Sequence, residues 1–284
     1  MTLEPKTLVK LVKQSLKNKD IDFEKQINSF GQVDAVKKRI DGKGFTVQEH
    51  IKGLVYSLLS RQRVWKNLVP HLNEIDIIFY FYAPEKLINA DPERLIEKIV
   101  EIKCGNMIIG KQMKALSNNI KILKKLHSVI EMKISEIYKY HNDVIKGQNI
   151  VEDLVNQLTN PKSESKLKQI GNALIMEYFK NIGVRSMKPD THLLRICGTK
   201  RLGILESVED ENTSNLSLLM KAQKEFISFV GKISEKVPID IVYYDNLFWL
   251  FGAKEYGEIC QKDPNCKHCL LSNHCNNLGL INLI

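Results

Sequence analysis

The sequence predicts an all-α fold, and three observations support that class. Apolar residues recur with a helical period in almost every segment, whereas alternating strand patterns are scarce. Residues 77–82 have strand propensity, but no partner strand accompanies them. With 284 residues, the chain can form one large domain or two smaller ones around hydrophobic cores.

Helix start signals locate several of the predicted elements. Residues 5–17 place apolar side chains on one stripe, with lysines opposite. Thr46 begins the segment 46–59, and Glu49 stands three residues later, which is the pattern of a capping box. Asp91 and Pro92 begin a helix over about 91–102. Further helices are expected over 111–126, 128–140 and 150–158, and polar loops over 159–166 and 206–215.

The chain is basic, with a formal net charge of +9 and an isoelectric point near 9.1. This charge favours polyanions such as nucleic acid, although a generally lysine-rich surface would give the same number. No apolar run approaches the length of a membrane helix, and the first 20 residues lack the apolar core of a signal peptide. We expect a cytoplasmic, monomeric protein without a membrane partner, associated with the nucleoid if the cell is bacterial.

Four cysteines near the end of the chain have the spacing of metal ligands: Cys260-x5-Cys266-x2-Cys269-x5-Cys275. Four thiolates can hold either a tetrahedral zinc ion or a cubane [4Fe–4S] cluster. Only one Cys-x2-Cys pair is present, and two longer arms flank it, which favours the cluster over zinc. The other cysteines and the nearby histidines are expected to take no part in this site: Cys104, Cys197, His268 and His274.

Three sequence blocks occur in the order found in one enzyme family. Residues 58–62 read Leu-Leu-Ser-Arg-Gln, and residues 167–171 read Leu-Lys-Gln-Ile-Gly. After a further helix, residues 189–195 read Pro-Asp-Thr-His-Leu-Leu-Arg, and the cysteine loop follows, preceded by Phe251 and Gly252. With these blocks, which span residues 46–275, the chain resembles the endonuclease III branch of the helix-hairpin-helix DNA glycosylase superfamily.

The resemblance implies a two-domain, all-α glycosylase fold with a C-terminal [4Fe–4S] cluster loop. One domain would span residues 46–182 and contain the hairpin, and the other would combine residues 1–45 with 183–284. The implied activity is hydrolysis of the N-glycosidic bond of a damaged or mismatched base flipped out of double-stranded DNA. Asp190 would stabilise the sugar cation or activate water; alternatively it is only the N-cap of a helix, and one residue could serve both purposes.

The chain departs from the family pattern at two places. In the hairpin, Lys168 and Gln169 replace a Pro-Gly pair, and only Gly171 remains of the two glycines. The first gap between cysteines has five residues instead of six. Relatives that also nick the strand carry a lysine at the position of Ala173, so the sequence predicts a monofunctional enzyme. A lyase with a relocated lysine, and a DNA-binding protein that has lost catalysis, remain as alternatives.

Six residues are expected to contact DNA by this resemblance: Gln62, Lys166, Lys168, Gly171, Asn172 and Arg195. Gln62 could fill the gap left by the flipped base or be a polar helix terminus, and Arg195 could bind phosphate or brace the helix after Asp190. The apolar loop 105–110 could be a stacking wedge, but a buried loop is the favoured interpretation. The lysines of residues 111–125 form either a solvated helix face or a DNA-binding surface.

Overall fold

The computed structural model of the protein describes residues 3–140, 144–234 and 237–276. In these ranges the structure is helical and contains no strand, apart from one isolated bridge between Gly198 and Leu205, which confirms the all-α prediction. None of the helices in these ranges is both long and apolar enough to cross a bilayer. The α-helices are α1 (Pro5–Lys17), α2 (Phe23–Ser29), α3 (Gln32–Ile40), α4 (Val47–Leu59), α5 (Leu72–Ile78), α6 (Pro84–Ile88), α7 (Pro92–Glu101), α8 (Ile109–Lys139), α9 (Val144–Thr159), α10 (Asn172–Asn181), α11 (Thr191–Cys197), α12 (Leu216–Gly231) and α13 (Val237–Gly252).

The chain divides into two compact units. Met1–Lys37 and Arg185–Ile284 form one unit, and Lys38–Val184 forms the other. The sequence placed the first boundary at residue 46, where the capping box of α4 begins. The structure places it inside α3, because residues 38–45 are tied into the second unit by the contacts described below.

In the Lys38–Val184 unit, α4 packs against α8 and α10. Thr46 and Glu49 form the predicted capping box at the start of α4, and Asp91 caps α7 as expected. The prediction of separate helices over 111–126 and 128–140 is wrong, because α8 runs unbroken for 31 residues. No glycine or proline occurs around His127 to interrupt the helix. The His127 ring lies on this continuous helix and hydrogen-bonds to the Phe45 carbonyl at 2.7 Å.

Glu131 of α8 is the centre of a buried polar network in this unit. Its two carboxylate oxygens each accept a hydrogen bond of 2.6 Å from Arg39, and Oε2 also accepts the Phe45 backbone N–H at 2.9 Å. The His50 ring lies 2.7 Å from Oε1. Burial opposes ionisation of Glu131, but these hydrogen bonds outweigh it and hold the pKa of the carboxyl well below its ordinary value. The network therefore anchors residues 38–45 to α8.

His50 completes the network as a neutral ring. Burial lowers the pKa of His50 below its ordinary value, although the neighbouring Glu131 opposes the shift. Because a carboxylate can only accept, Nε2–H donates to Glu131, and Nδ1 accepts the Tyr178 hydroxyl at 2.6 Å. The Arg39 Nε also donates to the Ile182 carbonyl at 3.0 Å, which ties α3 to the end of α10.

In the other unit, α13 packs against α1, α2, α11 and α12. Phe226 of α12 and Phe248 of α13 are fully buried, with ring centroids 6.1 Å apart. Ser15 of α1 accepts the backbone N–H of Leu270 at 3.1 Å, and the Tyr243 hydroxyl donates to Glu24 at 2.6 Å. The N-terminal helices and the C-terminal segments are thus held together by side-chain contacts as well as by packing.

The network around Glu131 predicts that acid destabilises the fold. The folded-state pKa of His50 lies below its ordinary 6.5, so stability contributed by the neutral ring is lost as the pH falls below that value. The depressed pKa of Glu131 adds to the loss below 4.5. We expect the melting temperature, measured by circular dichroism, to fall from pH 7 to pH 5 and further towards pH 4.

Glu131→Gln isolates the contribution of this network. It leaves Arg39 buried without its counter-charge, and should cost about 3 kcal/mol at pH 7 while reducing the additional loss on acidification. Glu136→Gln, at an exposed position of the same helix, is the matched control and should behave as the unaltered chain. Equal pH profiles for the two variants would contradict this account.

Candidate functional site

Asp190 is the N-cap of α11, as one of the two sequence interpretations proposed. Its Oδ1 accepts the backbone N–H groups of His192 at 2.9 Å and Leu193 at 3.0 Å. The side chain is 15% exposed, and Oδ2 lies 3.7 Å from Nζ of Lys188. Within the described ranges, Oδ2 has no hydrogen-bond partner. One oxygen therefore holds the helix, and the other faces the Lys188 ammonium.

Two buried side chains fix the backbone that leads into Asp190. The side chain of Gln223 on α12 accepts the Met187 N–H at 3.0 Å and donates back to the Met187 carbonyl. Asp245 on α13 accepts the Lys188 N–H at 2.9 Å. Both side chains are fully buried. The position of the Asp190 carboxylate is thus set by two neighbouring helices as well as by α11.

Arg195, five residues after Asp190, forms a bidentate ion pair with Glu211. Nε lies 2.7 Å from Oε1 and one terminal nitrogen lies 3.0 Å from Oε2. These hydrogen bonds hold the pKa of the Glu211 carboxyl below its usual value. The arrangement supports the bracing interpretation of Arg195, because a phosphate would have to displace Glu211. His192, on the same helix, is half-buried, and its burial lowers the pKa of the ring below the ordinary value.

The four clustered cysteines lie within electrostatic range of one another. Burial raises the pKa of the Cys269 thiol to about 12, and the charges of Cys260, Cys275 and Cys266 contribute to the same rise. Burial likewise raises the pKa of Cys260 to about 11, with further contributions from Cys275 and Cys266. The ionisation of Cys260 and Cys269 is thus affected by the other cysteines of the set, which places the four side chains in the same part of the C-terminal segment.

Two donors already point at these sulfurs. Arg201 donates from a terminal nitrogen to Sγ of Cys260 at 3.4 Å, and the backbone N–H of Leu271 donates to Cys269. Hydrogen bonds of this kind stabilise ligating thiolates. In the described residues, no three of the four sulfurs lie within 4.8 Å of one another.

The remaining cysteines and the histidines of the cysteine loop differ in exposure. Cys104 and Cys197 are fully buried, while His268 and His274 are exposed. A separate group of metal-type ligands, His50, His127 and Glu131, has ligand atoms within 4.8 Å of one another. Arg39 occupies both oxygens of its carboxylate, so we interpret this group as the hydrogen-bond network described above.

The segment between α9 and α10 contains a left-handed backbone position that is not glycine. Gln169, where the sequence resemblance leads one to expect glycine, has a left-handed backbone with φ of +62°. Asn119 of α8 holds the preceding residue: its side chain accepts the Lys168 N–H at 2.7 Å and donates to the Lys168 carbonyl at 2.9 Å. A side chain of α8 therefore holds this turn.

The backbone at the tip of this hairpin is accessible. Gly171 is exposed, is the N-cap of α10 without a side-chain cap, and has no atom within 4 Å of the position a Cβ would occupy. Among the described residues, the N–H groups of Gln169, Ile170 and Gly171 have no acceptor. Lys168 is exposed and Lys166 half-buried beside them. Asn172 accepts the Thr159 hydroxyl at 3.4 Å.

Gln62 is exposed in a turn beyond the end of α4, with φ of +50°. The interpretation of residues 105–110 as a buried loop is wrong for Met107, which is 94% exposed, although Ile109 is buried. The Asn106 side chain holds this loop by donating to the Leu58 carbonyl near the end of α4 at 2.9 Å. The structure therefore brings the turn of Gln62 and the loop of Met107 to the same end of α4.

The predicted lysines of α8 are all exposed: Lys111, Lys114, Lys121, Lys124 and Lys125. Lys114 pairs with Glu93 at 2.9 Å, and Lys124 pairs with Glu85. Part of this face is thus neutralised by acidic neighbours, as a solvated helix face commonly is.

The predicted site residues are divided between the two units. Asp190, Arg195 and the four cysteines belong to the unit of Met1–Lys37 and Arg185–Ile284, and the other predicted DNA contacts to Lys38–Val184. Sequence reasoning missed Lys188, Arg201 and Asn119. A buried asparagine in the middle of a lysine-rich helix was a usable signal for Asn119; none marked the other two.

Comparison with protein-family models, curated proteins and solved structures finds no match to this chain.

The capping role of Asp190 can be separated from any catalytic one by stability. Asp190→Ala removes the cap and should cost about 1 kcal/mol, whereas Asp190→Asn should leave stability nearly unchanged because asparagine caps helices equally well. Urea denaturation followed by circular dichroism would measure both. A loss of stability in the asparagine variant equal to that in the alanine variant would contradict the assignment.

The left-handed backbone of Gln169 also has a measurable consequence. Gln169→Gly relieves roughly 1–2 kcal/mol of conformational cost and loses roughly 0.5–1 kcal/mol of entropy, so stability should rise slightly. Gln169→Val should be destabilised, because a β-branched residue rarely adopts positive φ. Thermal unfolding of the two variants checks this, and a valine variant as stable as the glycine one would refute it.

Proposed function

We propose that the protein is a monofunctional base-excision DNA glycosylase that removes a damaged or mismatched base from double-stranded DNA. One observation carries the proposal: the Asp190 carboxylate is rigidly positioned by Oδ1, while Oδ2 has no hydrogen-bond partner in the described ranges. An N-cap alone needs only one oxygen. Oδ2 is therefore not committed to the helix, and its negative charge is available to a reaction that develops positive charge on a sugar.

The chemistry follows from the bond that breaks. When an N-glycosidic bond is hydrolysed, the electron pair of the bond leaves with the base and the sugar becomes cationic. A carboxylate such as Asp190 can stabilise that cation or take a proton from the attacking water. The base must first leave the helix stack, because its glycosidic bond is shielded within the duplex. The products are the free base and an abasic site.

The Lys38–Val184 unit offers features suited to the DNA backbone and to the vacated base position. The free N–H groups of the hairpin and the charge of Lys168 suit a phosphate. The exposed side chains of Gln62 and Met107 suit a gap in the base stack. These features support a DNA partner, with the basic net charge contributing to affinity.

The same proposal assigns a [4Fe–4S] cluster to the C-terminal loop. Its ligands would be Cys260, Cys266, Cys269 and Cys275, because one Cys-x2-Cys pair flanked by two longer arms favours a cluster over zinc. Such a cluster would brace the loop that carries the exposed Lys262 and Lys267, without taking part in the hydrolysis. We also propose that the protein acts as a monomer in the cytoplasm.

One observation favours a second candidate function. Lys188 Nζ lies 3.7 Å from Asp190, so an amine is present beside the proposed catalytic carboxylate although position 173 is alanine. Such an amine could form an imine with the aldehyde of an abasic site, releasing water, and so lead to strand cleavage. This would make the enzyme a bifunctional glycosylase and abasic-site lyase.

Base release from a panel of duplexes, each with one altered or mismatched base, tests the proposal. We expect release with at least one substrate, and a loss of about 10³-fold or more with Asp190→Asn, since the conservative change removes the charge that the transition state needs. Asp210→Asn, an exposed aspartate in the same unit, is the matched control. No release from any duplex would favour a binding protein without catalysis.

Borohydride treatment on abasic DNA separates the two enzymatic candidates. A monofunctional enzyme gives no covalent adduct. An adduct that disappears with Lys188→Gln, but persists with Lys168→Gln, would establish the lyase instead.

A further inference from the structure

Arg201 contacts both ends of the cysteine loop. Its guanidinium donates to Sγ of Cys260 at 3.4 Å and to the carbonyls of Gln261 at 3.4 Å and Lys262 at 3.2 Å. Its own carbonyl accepts the backbone N–H of Asn276, the residue after the last cysteine, at 2.9 Å. One residue thus holds the beginning of the loop with its side chain and the end of the loop with its backbone.

The position of Arg201 is itself fixed. Arg201 is buried, with 8% of its surface exposed, and its backbone N–H donates to the Gly198 carbonyl at 3.1 Å. The Asn276 side chain donates to the Thr199 carbonyl at 2.7 Å, which adds a second link between the same turn and the end of the loop. A buried guanidinium is costly unless it is hydrogen-bonded, and here both terminal nitrogens have acceptors: a sulfur for one and two carbonyls for the other.

We propose that Arg201 is a positioning residue of the four-cysteine site, which sets how tightly the site retains its metal and how readily a bound cluster is reduced. The inference rests on the metal site of the proposed function, but not on glycosylase activity. The cationic donor stabilises negative charge on the Cys260 sulfur, and its planar fork holds the adjoining carbonyls at the same time. A reduced cluster carries more negative charge than an oxidised one, so this donor favours reduction.

Lysine at position 201 would replace the charge of arginine but not its set of contacts. A single ammonium on a flexible chain could reach either the sulfur or the carbonyls of Gln261 and Lys262, but it lacks the fork that reaches both. Lys200, the neighbouring residue in the same turn, is exposed and provides a matched control for charge. Arg201→Lys therefore tests the geometry, and Lys200→Met against Arg201→Met tests whether the effect is only one of net charge.

The experiment uses the full-length chain and its variants, reconstituted with iron and sulfide. Iron per chain, the visible absorption spectrum, the rate of iron loss to a chelator and the midpoint potential of the bound cluster would be measured for each. We expect Arg201→Met to weaken metal retention by about 10–100-fold, as changes of groups that orient metal ligands commonly do, and to lower the midpoint potential. Arg201→Lys should fold and show a smaller loss, and Lys200→Met should match the unaltered chain.

Equal retention and equal potentials for Arg201→Lys and the unaltered chain would overturn the proposal, even if Arg201→Met fails to fold. So would an effect of Lys200→Met as large as that of Arg201→Met. If the unaltered chain binds zinc instead of a cluster, the proposed cofactor is wrong. The role of Arg201 would then be judged by zinc retention in the same variants. Base release takes no part in these measurements, so failure of the glycosylase assay leaves this test intact.

Discussion

The position of Asp190 depends on a backbone that is buried without being part of a helix or a sheet. Residues 185–187 are fully buried, so their N–H and carbonyl groups need partners that water does not supply. Gln223 satisfies both groups of Met187, and Asp245 satisfies the N–H of Lys188. These two buried side chains replace the neighbouring strand that an extended segment would otherwise require. Any function assigned to Asp190 therefore depends on helices distant in sequence.

The hairpin shows how a side chain from another helix can support a left-handed backbone at a residue other than glycine. Glycine is favoured at positive φ because it lacks Cβ, yet Gln169 adopts φ of +62°. The cost is offset by Asn119, whose amide pairs with both backbone groups of Lys168. Phosphate binding by such a turn requires free N–H groups in the correct arrangement, and the residue type matters only through that arrangement.

Local signals in the sequence predicted most helices but few of the partners that position the site. The capping pattern of Thr46 and Glu49 and the N-cap at Asp190 depend on neighbours within three residues, so both were recognisable. Arg201 and Cys260 are 59 residues apart, and Glu211 neutralises Arg195 through a polar loop. Contacts of this kind depend on tertiary packing, which no local pattern encodes. The exposure of Met107 was mispredicted for the same reason.

α11, the helix that Asp190 caps, lies between the Asp190 carboxylate and the turn whose Arg201 contacts the cysteine loop. α11 has seven residues, fewer than an isolated helix needs to be stable in water, so its ends must be held by other contacts. Asp190 caps its beginning. At its end, a Cβ on Gly198 would lie 2.5 Å from the Leu194 carbonyl and 2.9 Å from that of Val208, so only glycine permits the close turn that leads to Arg201. Because Arg201 is bound to the cysteine loop, the order of that loop and the placement of the Asp190 carboxylate contribute to the stability of the same helix. A metal held by the loop would therefore help to fix the position of the proposed catalytic carboxylate, without itself approaching the substrate.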